Sequence, residues 1–266
     1  MNYETRKEIH HILFIVASCA ITLAFLFYLR ENNVLTENPP LQISTAITKP
    51  ANIEPETVIN PTENYTETEL PITISLPVPF TPQAPTGNWD TLHNEACEEA
   101  VAIMSHAYFS GNTSTTLTPI YVEAEIKKLT EWQDKNFGYH LDSTSEETAK
   151  MITEVYNLNT KVIAGIDETI IKQALSENNL VLISTDGRLL GNPNYKQPGP
   201  PHHMLVIRGY NEKSFVTNDS GTKRGLNYIY SYTKLYNASG DWNHNTKKVD
   251  TVNKKMIIVS KNDSAI

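Results

Sequence analysis

Apolar positions along the 266-residue chain follow three successive patterns. Residues 12 to 29 (ILFIVASCAITLAFLFYL) carry no charge over 18 positions. At about 1.5 Å per residue, a helix there reaches roughly 27 Å, close to the hydrocarbon thickness of a bilayer. From residue 96 a helical period takes over. In ACEEAVAIMSHAYFS (96–110), Ala100, Val101, Met104, Ala107 and Tyr108 fall on one face, and Gly111 ends the run. A second helix is predicted over 119–134 with Val122, Ile126 and Leu129 inward. A third follows Thr144, which forms a capping box with Glu147, and carries Ile152, Val155 and Tyr156. A short fourth covers 167–176. The second half then reads as strands: KVIAGI (161–166), LVLIS (180–184), HMLVIRGY (203–210), SFVTN (214–218), NYIYSY (227–232) and KMIIVS (255–260) are β-branched or aromatic and bounded by turn residues. Asn211-Glu212-Lys213 is short enough for a hairpin turn. Helices first and strands later predict an α+β fold.

This patterning divides the chain. Residues 1–11 precede the apolar run as a short cytoplasmic N-terminus, and 12–29 read as a transmembrane signal-anchor. Arg6 and Lys7 precede it and Arg30 follows. The bias favours an exported C-terminal part, so the expected location is the cell membrane, single-pass, with the domain outside the cytoplasm. Val16-Ala17-Ser18-Cys19 also resembles a lipoprotein box, which would lipidate Cys19. Residues 30–75 read as a linker: positions 31–77 hold seven Pro, seven Glu and one Lys, too little apolar surface to offset the entropy of ordering. The compact domain is expected over 76–262.

Charge and cysteine count narrow the chemistry. A net charge of -8 with no long Lys/Arg run gives no electrostatic support to nucleic-acid binding, and no nucleic-acid partner is expected. Of the two cysteines, Cys19 lies in the apolar run, so Cys97 is alone in the domain and no disulfide can form there. His93, His106, His140 and His244 lack ligand spacing, and neither HExxH nor a paired CxxC occurs. Gly187 and Gly191 flank a Pro-rich loop rather than a helix start. No metal and no cofactor are expected.

Cys97 stands in the first turn of the predicted helix 96–110, where unpaired N–H groups favour a thiolate and lower the thiol pKa. Glu98 and Glu99 read as first-turn helix stabilisers. A nucleophile needs a base, and His203 opens a strand. His202 is its neighbour, and because adjacent strand residues alternate, only one of the two can face the helix. If 203–210 and 214–219 form a hairpin, Asp219 comes near His203 and can orient the imidazole.

The segments VPFTPQAPTGNWDTLHNEACEEA (78–100), GRLLGNPNYKQPGPPHHMLVIRGY (187–210) and FVTNDSGTKRG (215–225) resemble papain-like cysteine peptidases of the bacteriocin-processing type. The resemblance implies a papain-like fold with the nucleophile helix packed on an antiparallel sheet, and a peptide or protein substrate. It implies Cys97 as nucleophile, His203 as base through its spacing to Gly209-Tyr210, and Asp219 in the Asn218-Asp219-Ser220-Gly221 turn. It further implies an oxyanion donor, Gln83, with Asn94 as the alternative. Two other functions stay open: a surface-displayed peptide-binding module with a papain-like cleft, and a thiol acyl-transferase on the same scaffold. Trp89 and Trp242 could line a cleft, although a tryptophan is more often simply packed. Loop 186–201, just before His203, could cover it.

Overall fold

The computed structural model describes residues 69–262. The predicted anchor 12–29 and the linker up to residue 68 lie outside the described residues. Among the described residues no helix is long and apolar enough to cross a membrane.

The chain opens with β1 (Ile74–Ser75) and α1 (Thr91–Asn94), whose cap Asp90 accepts from the His93 N–H. Next come α2 (Cys97–Phe109) and α3 (Pro119–Asn136), the latter with proline at its first position, where a missing N–H costs nothing. α4 (Ser145–Tyr156) begins with the expected capping box between Thr144 and Glu147. Then follow β2 (Asn159–Ala164), α5 (Glu168–Ser176), β3 (Leu180–Thr185), α6 (Gly187–Leu190), β4 (His203–Tyr210), β5 (Ser214–Asn218), β6 (Tyr228–Ser231), α7 (Tyr232–Ala238), the hairpin β7 (Asp241–Asn243) and β8 (Lys248–Asp250), and β9 (Lys255–Ser260).

The main sheet has seven strands in the order β2-β9-β3-β4-β5-β6, with β1 added on β4, and every pairing in it is antiparallel. The α+β class expected from the sequence is the one observed. β4 is buried along all eight residues, with α2 and α5 both packed against it, which is why it reads as an apolar run. α2 is buried on nearly every side, from Cys97 through Met104, because α3 and α4 pack over it while β4 lies beneath. The turn after β4 closes as predicted: the Asn211 N–H donates to the Ser214 carbonyl at 2.9 Å.

Three local expectations are corrected. The linker was expected to run to residue 75, yet Ile74 and Ser75 pair with Tyr210 and Gly209. Gly209 permits this approach, since a Cβ there would overlap the Ile74 carbonyl oxygen. The run 227–232 ends as a strand at Ser231, whose hydroxyl accepts from the Lys234 N–H and starts α7. Gly187, read as part of a loop, opens the short helix α6, because the Asp186 side chain accepts from the Arg188 N–H.

Candidate active site

Cys97 is the first residue of α2 and is buried. Its thiol donates to Glu98 Oε2 at 2.9 Å and lies against the backbone N–H of Met204 in β4. The helix start was expected to lower the thiol pKa. The structure reverses this: burial pushes the thiol well above its usual range, and the adjacent Glu98 carboxylate adds to the shift. Glu98 and Glu99 do stand in the first turn of α2, and both are buried. Glu98 Oε1 accepts from the Ser143 N–H at 2.7 Å, while Glu99 accepts from the Gln133 amide.

His202 belongs to this buried group. Its Nδ1 lies 2.8 Å from Asp142 Oδ1 and 3.4 Å from Glu98 Oε1; its Nε2 lies 2.9 Å from the Ser184 hydroxyl. Its ring leans on Trp242 at 5.1 Å. Burial opposes protonation of His202, but the Glu98 and Asp142 carboxylates outweigh it and raise the pKa. Cys97, Glu98 and His202 each bring one donor atom within 4.8 Å of the others. A thiolate, a carboxylate and an imidazole so placed could hold a thiophilic divalent cation.

His203 turns to a different partner. Its Nε2 lies 2.8 Å from Asp219 Oδ1, and both side chains are buried. Asn218 pairs with Val206, so Asp219 follows the last ladder pair of the hairpin and reaches back to the head of β4. Asp219 accepts four further hydrogen bonds: from the Gly221 N–H at 3.0 Å, from Asn192 Nδ2 at 3.0 Å, and from the Tyr195 and Tyr230 hydroxyls at 2.6 Å each. Burial raises the Asp219 pKa, but His203 and these donors bring it down to about 2. An ionised Asp219 on Nε2 keeps the proton there and leaves Nδ1 as the basic nitrogen.

The structure thus joins His203 to Asp219. It does not join Cys97 to His203 by a hydrogen bond; the sulfur is turned to Glu98. Gln83 is buried, and its amide nitrogen donates to the carbonyls of His93 (2.9 Å) and Asn94 (3.0 Å). Its Oε1 has no partner, nor does the hydroxyl of Ser220, whose carbonyl accepts from the Gln83 N–H at 2.9 Å. Asn94 is committed as well, its amide donating to the carbonyls of Trp89 and Asp90. Neither expected oxyanion donor therefore has a free amide hydrogen in this arrangement.

A cavity of about 870 Å³ opens beside this group, lined by Gln83, Trp89, Tyr195 and Gly221 among others. Trp89 is 42% exposed and forms part of its wall, whereas Trp242 is packed on His202. Residues 193–200 of the loop foreseen as a cover do line the cavity. The partners of Asp219 (Asn192, Tyr195, Tyr230) and of His202 (Asp142, Ser184) were not visible in the sequence. They come from separate segments, and no spacing rule links them.

No curated protein matches the chain. Among solved structures, one from Bacillus anthracis, described as a C39-like peptidase, is 14% identical with a TM-score of 0.45, covering 71% of this chain and 98% of that one. Xylellain, a cysteine protease from Xylella fastidiosa, is 11% identical with a TM-score of 0.34, covering 73% of this chain and 87% of its own. A family model described as the Peptidase_C39 like family matches residues 75–250, well over half of the sequence. The chain belongs to the Peptidase_C39 like family and is a cysteine-type peptidase.

Proposed function

We propose that Cys97 is the nucleophile of a peptide-bond hydrolase, with His203 as its base and Asp219 as the residue that orients the base. The observation that carries this reading is the buried 2.8 Å contact between His203 Nε2 and Asp219 Oδ1 at the head of β4, the strand whose Met204 N–H touches the Cys97 sulfur. With Nε2 donating to Asp219, Nδ1 takes the thiol proton and the sulfur attacks the substrate carbonyl carbon. The carbonyl oxygen becomes an oxyanion beside the Cys97 N–H, which as the first of a helix has no partner within it. Gln83 is the second donor, once its amide exchanges the His93 and Asn94 carbonyls for the oxyanion. Collapse of the intermediate returns the proton from Nδ1 to the leaving amine, and water activated by His203 hydrolyses the thioester. The sulfur must leave Glu98 for this sequence to start.

The substrate is a peptide or protein. On this reading residues 12–29 tether the enzyme to the cell membrane, and residues 30–75 space the catalytic domain from it on the outer side. A second assignment follows from the position of His202, one ring nitrogen of which falls within 4.8 Å of the Cys97 sulfur: His202 is the base in place of His203. Labelling with an E-64-type epoxide, mapped by mass spectrometry, separates the two. Modification of Cys97 that is lost in His203→Gln and kept in His202→Gln is the expected outcome. The opposite pattern transfers the role to His202, and undiminished peptide turnover by Cys97→Ala rejects both.

A further inference from the structure

The cavity beside Gly221 has an electrostatic character opposite to that of the chain. Sequence-wide, 30 acidic residues outnumber 22 basic ones. The cavity lining nevertheless holds Lys196, Lys223 and Arg224 and no aspartate or glutamate. The three cations come from two loops, 193–200 and 221–224, that face one another across the opening. Arg224 Nη1 reaches Asn194 Oδ1 of the facing loop at 3.3 Å. Lys223 lies over the backbone at Gly87, where a Cβ would stand 2.9 Å from its Nζ. Among the described residues none of the three forms an ion pair. Glu123, which approaches through Thr86, is already held by His93 Nε2 at 2.8 Å.

The cavity also borders the reacting group. A Cβ on Gly221 would stand 3.0 Å from His203 Cε1, so the buried imidazole lies directly behind the wall that Gly221 forms. Isolated surface lysines are solvated and select nothing. Convergent cations in a concave site are different, because low-dielectric walls focus their field and concentrate an oppositely charged ligand. Trp89 and the prolines of 193–200 give the same cavity an apolar wall suited to the carbon skeleton of a peptide.

We propose that this cleft selects peptides that place a carboxylate, from an acidic side chain or a chain terminus, on Lys196, Lys223 and Arg224. The proposal deepens the peptidase reading above and rests on it. Each of these cations is exposed and screened, so the three acting on one carboxylate are expected to give about a tenfold preference, equivalent to about 1.4 kcal/mol.

The test uses the full chain and matched, internally quenched peptides. In one set a glutamate or a glutamine is walked along an amidated peptide. In the other the glutamine peptide carries either a free or an amidated C-terminus. The expected result is a kcat/KM at least about tenfold higher for the carboxylate-bearing member of one set, falling as salt is raised. In the combined Lys196→Gln, Lys223→Gln, Arg224→Gln variant that ratio should drop to near one, while turnover of the neutral peptide is retained. Which set responds identifies the source of the carboxylate. A wild-type ratio near one in both sets overturns the proposal, as does a preference that survives in the triple variant. If wild type cuts none of the peptides, the peptidase reading fails separately, and fluorescence anisotropy with Cys97→Ala still decides the matter. Tighter binding of the carboxylate-bearing peptide, lost when the three cations are also removed, supports selection; equal binding rejects it.

Discussion

The Cys97 thiol is held 2.9 Å from the carboxylate of Glu98, its immediate neighbour on α2. A thiol that donates to a carboxylate is kept protonated, and here burial works in the same direction. Glu98 is fixed in turn by the Ser143 N–H and by His202. On the proposed reading this is a resting nucleophile, set against the strand that begins with His203 but not yet engaged with it.

Glu98→Gln should release that proton more readily. The substitution keeps an oxygen for the Ser143 N–H and removes the negative charge beside the sulfur. Alkylation by iodoacetamide, followed against pH, is expected to shift its midpoint downward and to run about tenfold faster at neutral pH. An unchanged profile would show that burial alone holds the proton.

Asp219 makes acid stability a readout of the His203 pairing. Its pKa in the folded protein, about 2, lies below the usual 3.8. A depressed carboxyl stabilises the fold above its unfolded value, and that contribution is lost as pH falls from about 4 through 2. For this buried group it amounts to about 2 kcal/mol. Urea unfolding of wild type should therefore weaken between pH 5 and pH 2.5 by more than that of Asp219→Asn, which should also turn over peptide far more slowly. Parallel losses in the two proteins would contradict the assigned His203–Asp219 hydrogen bond.

Much of this was legible in the sequence, and the reasons are specific. The run from Ala100 to Tyr108 and the Thr144–Glu147 box announce α2 and α4 locally, through side-chain period and capping chemistry. The three-residue turn at Asn211 sets the hairpin that carries Asp219 back to His203. The direction of the Cys97 side chain was not legible. Helix position alone argued for a reactive thiolate, whereas burial and Glu98 dominate. The contacts among Glu98, Asp142 and His202 join positions more than forty residues apart, and the two amide hydrogens of Gln83 go to carbonyls that only the folded loop supplies. Likewise β1 and the β7–β8 hairpin are too short to show a period of two.

Gly221 is where the approach to His203 can be closed by one carbon. A methyl there would meet Tyr195 Cε1 at 2.9 Å and His203 Cε1 at 3.0 Å, tighter than ordinary contact. Overpacking of this kind typically costs about 1–3 kcal/mol. Gly221→Ala is expected to fold, to melt at a lower temperature, and to lose kcat because the imidazole is displaced from Asp219. Full kcat with an unaltered melting temperature would mean that the two rings yield without consequence.

Glu95 offers a pH dependence of the opposite sign. This half-buried residue lies just before Cys97, and burial, then the Asp142 and Glu98 charges, raise its carboxyl from 4.5 to about 7. A raised carboxyl favours the protonated form in the folded state. Its contribution to stability is complete below about pH 4.5 and is lost as pH climbs through 7, where the new charge meets Asp142 and Glu98. Glu95→Gln preserves a hydrogen-bond donor for Asp142 and never acquires that charge. Its melting temperature should match wild type near pH 4.5 and exceed it at pH 8. Because Glu95 is partly solvated, the gain is expected to be modest, on the order of 2 °C for a domain of this size. Calorimetry at the two pH values gives the comparison directly. A variant that melts below wild type at pH 8 would mean that a charged Glu95 is stabilised by His202 more than it is repelled by its neighbours.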